Sequence, residues 1–113
     1  MSATPTALCR LDELDDPGAR GFVIERDGAR QALLVVRRAG EVFGYVNDCP
    51  HIHVPLDWVE GQFLDFTRSH ILCANHGARF DIASGVCVVG PCAGKSLTAV
   101  PVRVSEGWVY ALQ

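Results

Sequence analysis

Short apolar runs separated by glycine-containing turns are the feature of this sequence that most limits its fold. The runs are rich in Val, Ile, Leu and aromatic residues, a composition typical of β-strands rather than helices. Four of the dipeptides that separate runs end in glycine, as hairpin connections do: Asp27-Gly28, Ala39-Gly40, Ser84-Gly85 and Glu106-Gly107. The pattern predicts an all-β fold.

The apolar runs predict strands along most of the chain. They cover Ala7–Leu11, Phe22–Glu25, Ala32–Arg38, Val42–Asn47, Ile71–Cys73, Arg79–Asp81, Val86–Val88, Leu97–Val104 and Trp108–Leu112. Between Ala99 and Val104, valines at every second position predict one buried face. Pro101 has no N–H to donate to a ladder, which indicates an edge strand at this point.

The length and composition of the chain indicate the number of domains and argue against some classes of binding partner. The chain has 113 residues, 49% of them hydrophobic and 20% charged, which suits one domain with a buried core. A net charge of −3 without a run of Lys or Arg argues against binding to nucleic acid or an anionic membrane. No basic segment followed by an apolar stretch begins the chain, and no run is long enough to span a membrane. We therefore expect a soluble, cytoplasmic protein.

One segment breaks the strand pattern. Residues 49–57 read Cys-Pro-His-Ile-His-Val-Pro-Leu-Asp, in which neither a two-residue nor a 3.6-residue period survives, so we predict a functional loop there. The chain also has an odd number of cysteines and no export signal, which argues against a disulfide framework and favours metal or redox chemistry. These cysteines are Cys9, Cys49, Cys73, Cys87 and Cys92.

Two of the cysteines lie beside histidines. Cys49 and His51 form a Cys-x-His pair, and Cys73 and His76 form a Cys-x-x-His pair. Two loops of this kind make a four-ligand site. Thiolate and imidazole ligands suit zinc or an iron–sulfur cluster and do not suit magnesium or calcium.

The spacing of the ligands bears on which metal is bound. Zinc fingers and ribbons usually pair Cys with Cys at one end and His with His at the other. Here each loop offers one Cys and one His, which favours a two-metal cluster with two thiolates on one iron and two imidazoles on the other. A Cys₂His₂ zinc-binding interaction module is the non-redox alternative.

In order and spacing, these four residues resemble the motif of the Rieske [2Fe–2S] proteins. The resemblance continues through the His-Gly-x-x-Phe-Asp pattern of residues 76–81, through Ser84-Gly85, and through Gly90-Pro91, which is similar to the proline loop that covers the cluster. It extends over about residues 41–112. It implies a Rieske-type antiparallel β-sandwich, a single domain over residues 1–113, and a small cluster-binding subdomain at about 47–92 built on two loops.

The resemblance also implies the ligands and the function. Cys49 and Cys73 would bind the inner iron, and His51 and His76 the outer iron, of one [2Fe–2S] cluster per chain. The protein would be a soluble ferredoxin without catalytic residues. It would carry single electrons from a flavin-dependent NAD(P)H reductase to a terminal oxygenase or another redox acceptor. The alternative within the family is a small Rieske-like subunit of a reductase such as nitrite reductase.

A separate oxygenase activity is not expected of this chain. Apart from the two proposed ligands it has only two histidines, His53 and His70, and both lie in the cluster region. An oxygenase needs two further histidines and a carboxylate for its own iron. The chain is also too short for an added catalytic domain.

Departures from the high-potential respiratory members of the family predict a low reduction potential. Val54 and Ala78 stand where those proteins have disulfide cysteines, and Ala78 and Phe80 stand where they have hydroxyl donors to the cluster. Without such donors the reduced cluster is less stabilised. Docking is expected at the cluster tip, with Ile52, Val54 and Pro91 excluding water beside the histidines.

We interpret the remaining features of the sequence, the long spacer and the other three cysteines, as structural. The spacer at residues 52–72 is a few residues longer than is common in the family, and we expect Trp58, Phe63 and Phe66 to form a core beneath an added excursion. Cys9, Cys87 and Cys92 are assigned no ligand role. Cys87 and Cys92 flank Gly90-Pro91, which leaves open a bond between them or a thiol near the cluster.

Overall fold

The computed structural model describes residues 5–26, 28–50, 56–57, 62–73, 77–90 and 92–112. The strands are β1 (Thr6–Arg10), β2 (Gly18–Arg26), β3 (Ala29–Arg38), β4 (Glu41–Val46), β5 (His70–Cys73), β6 (Ala78–Asp81), β7 (Cys87–Val89), β8 (Ala99–Val100), β9 (Val102–Ser105) and β10 (Trp108–Ala111). A 3₁₀ turn, Leu11–Glu13, follows β1. The predicted all-β class is confirmed, and within the described ranges no helix is long and apolar enough to cross a membrane.

The strands form three antiparallel sheets. Their orders are β1-β10-β9, β2-β3-β4-β8 and β5-β6-β7. Two of the predicted hairpin turns have positive φ at both central residues, with values of 52° and 80° at Ala39-Gly40 and 51° and 80° at Glu106-Gly107. Two-residue turns of this conformation match the twist of the strands that they join, which explains why these dipeptides mark hairpins.

Strand β3 is buried on both faces and forms the centre of the molecule. Leu34 and Val36 pack in a core that includes side chains of β5, β6 and β7. Leu33 and Val35 point the other way, into two smaller cores that include β1 and β10. Because successive side chains of a strand alternate between faces, the β2-β3-β4-β8 sheet lies between the other two sheets.

The prediction of one continuous strand over Leu97–Val104 is wrong. The chain changes sheets at Pro101, since β8 pairs with β4 and β9 pairs with β10. Pro101 has no N–H, but its carbonyl oxygen accepts a 2.8 Å hydrogen bond from the Leu112 N–H. Beyond this point Val102 is partly buried against the core on the β1-β10-β9 side, whereas Val104 is 37% exposed, so the predicted buried face does not continue to Val104.

The expected aromatic core beneath the spacer is only partly correct. Phe63 is buried, but Phe66 is fully exposed. The Asp65 carboxylate accepts hydrogen bonds from the Thr67 hydroxyl and the Ser69 N–H, which holds residues 65–69 in a tight turn with Phe66 at its outer side. Trp58 lies outside the described residues.

Candidate metal centre

The two cysteines of the predicted ligand set are brought together by different sheets. Cys49 follows β4, and Cys73 is the last residue of β5. Both are fully buried and belong to one core cluster, which also contains Cys87 and Cys92. The predicted partners His51 and His76 lie outside the described residues, as do Ile52, His53, Val54 and Pro91 of the expected docking tip. Within the described ranges alone, no group of three His, Cys, Asp or Glu side chains could hold a metal ion.

Asn47 closes the first cysteine-bearing segment. Its side-chain oxygen accepts a 2.8 Å hydrogen bond from the Leu56 N–H, and its side-chain nitrogen donates to Asp57 Oδ1 at 3.0 Å. The Asn47 N–H in turn donates to the Ala32 carbonyl oxygen of β3 at 2.9 Å. One amide side chain therefore holds the two ends of the segment that contains Cys49 against the central sheet.

The second segment is closed by its own backbone. The Gly77 N–H donates to the Cys73 carbonyl oxygen at 2.9 Å, which joins the end of β5 to the start of β6. Ala78 and Phe80, the next inward-facing residues of β6, are fully buried and have no hydroxyl group. They therefore offer packing surface, and no hydroxyl donor, on this side of the site.

A third segment, residues 87–92, packs against both cysteine-bearing segments. Gly90 has a φ of 108°, and a Cβ atom at this position would lie only 2.8 Å from the Cα atom of Ala78. The Cys92 thiol donates a hydrogen bond to Cys87 Sγ at 3.0 Å. Burial raises the pKa of Cys92 to about 12, and Cys87 and the nearby Cys49 act in the same direction. Cys92 therefore keeps its proton at neutral pH.

Side-chain bonds fix the β6–β7 hairpin beside these segments. The Tyr45 hydroxyl donates to the Ile82 carbonyl oxygen at 2.6 Å, and burial raises the pKa of Tyr45 to about 12. The Asp81 carboxylate accepts bonds from the Ser84 hydroxyl and N–H at 2.7 and 2.9 Å, which lower the pKa of Asp81 below its usual value. The turn of the hairpin is thus both anchored to β4 and capped by a carboxylate.

Asp65 organises the far end of the β5–β6 pair. It is 7% exposed and lies 3.3 Å from Nε of Arg79 and 3.6 Å from Nδ1 of His70. Burial by itself would raise the pKa of Asp65, but hydrogen bonds from the His70 and Ser69 N–H groups and the Thr67 hydroxyl outweigh it and lower the pKa. Asp65 therefore remains ionised at neutral pH and ties the spacer to β6.

The sequence analysis missed both Asn47 and Asp65. An Asn directly after a strand and shortly before Cys-Pro is a turn signal that points to a side-chain-capped loop. The Asp65 network has a similar local signal, since Asp, Thr and Ser lie within five residues of one another. Its ion pair with Arg79 depends on the pairing of β5 with β6 and has no signature in the local sequence.

The chain is similar to known proteins in sequence pattern and in fold. The family model for the Rieske [2Fe–2S] domain matches residues 4–106. No curated protein sequence matches the chain. Many solved structures are similar in fold.

Two of the similar structures are ferredoxins of the same length as this chain. The ferredoxin of carbazole 1,9a-dioxygenase from Nocardioides aromaticivorans IC177 is 25% identical, with a TM-score of 0.75 over 97% of this chain and 98% of its own. A ferredoxin of Sphingomonas yanoikuyae B1 is 29% identical, with a TM-score of 0.71 over 97% of this chain and 99% of its own. The terminal oxygenase of the Nocardioides carbazole system has the same fold in 30% of its length, at 23% identity and a TM-score of 0.75.

The donors that the structure describes fit the cluster of this family. Two buried cysteine side chains lie in one core between two closed segments, and cysteine thiolates are ligands of the kind that iron in a [2Fe–2S] cluster requires. The family match favours this cluster over the zinc alternative, because it extends over nearly the whole chain rather than the four ligands alone. The chain therefore belongs to the Rieske [2Fe–2S] domain family and is an electron carrier with a Rieske cluster.

Proposed function

We propose that Cys49, His51, Cys73 and His76 hold the [2Fe–2S] cluster, within a cluster-binding region at about residues 47–92 of a single domain. The burial of Cys49 and Cys73 in one core supports the thiolate half of this assignment. The backbone bond from Gly77 to Cys73 supports the second loop. When bound, a cluster of this type takes up and releases one electron at a time.

The protein is proposed to be a ferredoxin that carries electrons from a flavin-dependent NAD(P)H reductase to a terminal oxygenase, and not itself an enzyme. The observation that carries this proposal is the likeness to two ferredoxins over essentially the full length of both chains. In the similar oxygenase the fold is one part of a much longer chain. The two full-length ferredoxins favour a separate carrier over a subunit of a reductase such as nitrite reductase.

The proposed docking surface extends to β7. Val88 and Val89 are 49% and 48% exposed, and both precede Gly90, which packs beside the second cysteine-bearing segment. The resemblance to the family implies that Ile52, Val54 and Pro91 lie at the cluster tip, and we propose that β7 adds apolar side chains to a small, transient interface there. The apolar contact would exclude water between the two redox centres.

The ligand assignment is tested by His76→Cys with His53→Cys as the matched control, because both histidines follow a cysteine ligand by a few residues. His76→Cys is expected to lose the rhombic Rieske EPR signal of the reduced protein, whereas His53→Cys retains it. Iron and acid-labile sulfide are measured in both. An unchanged Rieske signal in His76→Cys would refute the assignment.

Electron transfer is tested by stopped-flow reduction with a flavin-dependent NADH reductase of a dioxygenase system, followed by oxidation with its terminal oxygenase. Val89→Glu is expected to slow transfer without altering the visible spectrum. Val23→Glu, which changes an exposed valine of β2, is the control and should transfer at the rate of the unaltered protein. Equal rates for both variants would remove β7 from the docking surface.

The reductase-subunit alternative predicts a different native state. Size-exclusion chromatography of the protein from its own cells separates the two cases, since a carrier elutes alone and a permanent subunit elutes with a larger chain. A redox titration of the purified protein checks the expected low potential, which for Rieske centres means the lower part of a range of about −150 to +300 mV.

A further inference from the structure

Two cysteines that are not in the proposed ligand set lie against each other beside the site. The Sγ atoms of Cys87 and Cys92 are 3.0 Å apart, and both side chains are almost completely buried. Cys87 also donates a hydrogen bond to the Val89 carbonyl oxygen at 3.3 Å. The remaining cysteine, Cys9, lies in a separate core on the other side of the central sheet.

The backbone holds the two sulfurs in this position. The Cys87 N–H donates to the Lys95 carbonyl oxygen at 2.7 Å, and the Gly94 N–H donates to the Cys87 carbonyl oxygen at 3.2 Å. The Lys95 N–H donates to the Cys92 carbonyl oxygen at 2.9 Å. Cys87 is therefore hydrogen-bonded to both Gly94 and Lys95, and Cys92 is hydrogen-bonded to Lys95. A disulfide would bring the sulfurs closer by only about 1 Å.

We propose that Cys87 and Cys92 are a redox-active dithiol that a peroxide converts into a disulfide across residues 87–92. The Cys87 sulfur, which accepts the hydrogen bond from Cys92, gives up its proton and attacks a peroxide oxygen, forming a sulfenic acid and releasing hydroxide, which takes up this proton as water. The second thiol then displaces the hydroxyl group of the sulfenic acid, forming the S–S bond and releasing a second water molecule. The two thiols lose two electrons and two protons in total, and hydrogen peroxide receives all of them.

The disulfide would act on a segment that packs beside the site. Residues 87–92 include Gly90, which packs directly against Ala78 at the end of the second cysteine-bearing segment. A bond between the two ends of this short segment restricts its opening. Oxidation is therefore expected to slow loss of the cluster, which is useful to an iron–sulfur protein when peroxide is present. The proposal does not depend on which proteins exchange electrons with this chain.

Because trypsin cleaves after Arg79 and Lys95, the formation of the disulfide can be tested directly. Trypsin releases residues 80–95 as one peptide that contains Cys87 and Cys92 and no other cysteine. Cys9, Cys49 and Cys73 lie in the separate peptides 1–10, 39–68 and 69–79. The holoprotein is treated with hydrogen peroxide, alkylated under denaturing conditions, digested, and analysed by mass spectrometry.

The expected product is peptide 80–95 without alkyl groups and about 2 Da lighter than the dithiol form, with full alkylation restored by dithiothreitol. Cys9→Ser should give the same product. Cys87→Ser and Cys92→Ser should each leave one alkylated cysteine. Two alkylated cysteines in peptide 80–95 after peroxide, or irreversible sulfinic acid at one of them, would overturn the proposal. Because the main measurement uses the unaltered protein, it does not depend on the folding of any variant.

The effect of the disulfide on the rate of cluster loss is measured separately. Loss of the visible absorbance is followed in the presence of an iron chelator, for holoprotein with the dithiol and for holoprotein with the disulfide. The disulfide form is expected to lose its cluster more slowly, on the order of tenfold. Equal rates would show that the bond forms without protecting the site.

Discussion

The two faces of β3 carry different kinds of core. On one face, Leu33 and Val35 pack among side chains such as Ile24, Val100 and Val109, which have no role in the site. On the other face, Leu34 and Val36 pack in the cluster that contains the cysteines of the site. A single strand thus supports both the scaffold and the metal centre.

The cores on these faces are also held in different ways. The scaffold face is covered by the β1-β10-β9 sheet, whose strands have four or five residues and pair directly with one another. The site face is covered by the β5-β6-β7 sheet, whose strands have three or four residues, and by the loops that carry the cysteines. There the loops depend on single side chains such as Asn47, Asp65 and Tyr45. We infer that substitutions on the scaffold face change global stability, whereas those on the site face also change the metal centre.

The largest expected effect comes from substituting two adjacent leucines of β3. Leu33→Ala and Leu34→Ala remove the same group from positions that are 1% and 0% exposed, on opposite faces of one strand. Each is expected to lower the free energy of unfolding by about 2–5 kcal/mol, measured by denaturant titration. Only Leu34→Ala should also accelerate loss of the cluster to a chelator under native conditions. Equal acceleration by Leu33→Ala would show that the two faces are not independent.

A smaller effect is expected from Gly90 in the third segment than from the leucines, with Gly94 just beyond the segment for comparison. Gly90→Ala and Gly94→Ala both place a side chain at positive φ, with angles of 108° and 91°. A Cβ at Gly94 meets nothing within 4 Å, but one at Gly90 meets the backbone of Ala78. Both variants incur backbone strain of about 1–3 kcal/mol, and only Gly90→Ala should displace the segment from the site. The comparison is measured by denaturant titration and the EPR line shape, and altered EPR in Gly94→Ala would contradict it.

The smallest effect concerns Asp65 and depends on pH. Its pKa is lowered on folding, so its stabilising contribution is present above about pH 5 and is lost as the pH falls below about 4. Asp65→Asn retains the shape and one acceptor, and we expect it to cost about 1 kcal/mol at pH 7. The difference from the unaltered protein should shrink at pH 3.

The measurement for this variant is denaturant titration at both pH values. Ser84→Ala is a useful control, because it removes a hydrogen bond from Asp81 and leaves Asp65 unchanged. A stability difference for Asp65→Asn that is the same at pH 7 and pH 3 would mean that the ionised carboxylate is not the source of the effect.

Much of the fold follows from local sequence patterns. The hairpins at Ala39-Gly40 and Glu106-Gly107 were predictable because their backbone conformation favours glycine and is set by the two residues of the turn. Most strand positions were predictable for a similar reason, since short apolar runs that are rich in β-branched and aromatic residues and bounded by glycine turns are typical of strands. The Rieske motif was equally readable, and the family match confirms the resemblance.

The predictions from sequence that were wrong have a common physical cause. Residues 97–104 have the alternation of one strand, but they divide between two sheets because Pro101 and its neighbours pair with different partners. Phe66 is apolar, but the bonds that Asp65 receives turn it toward solvent. In both cases a contact between distant parts of the chain, or a single polar side chain, overrides a local pattern.

The sequence by itself determined the strand class, the hairpin turns and the family, because these depend on residue type and short spacing. Only the tertiary structure decided that β3 separates a scaffold core from a site core, and that Cys87 lies beside Cys92 rather than apart from it. Such arrangements depend on which strands pair and on how the sheets stack. No local pattern specifies them, because the packing of the whole chain determines them.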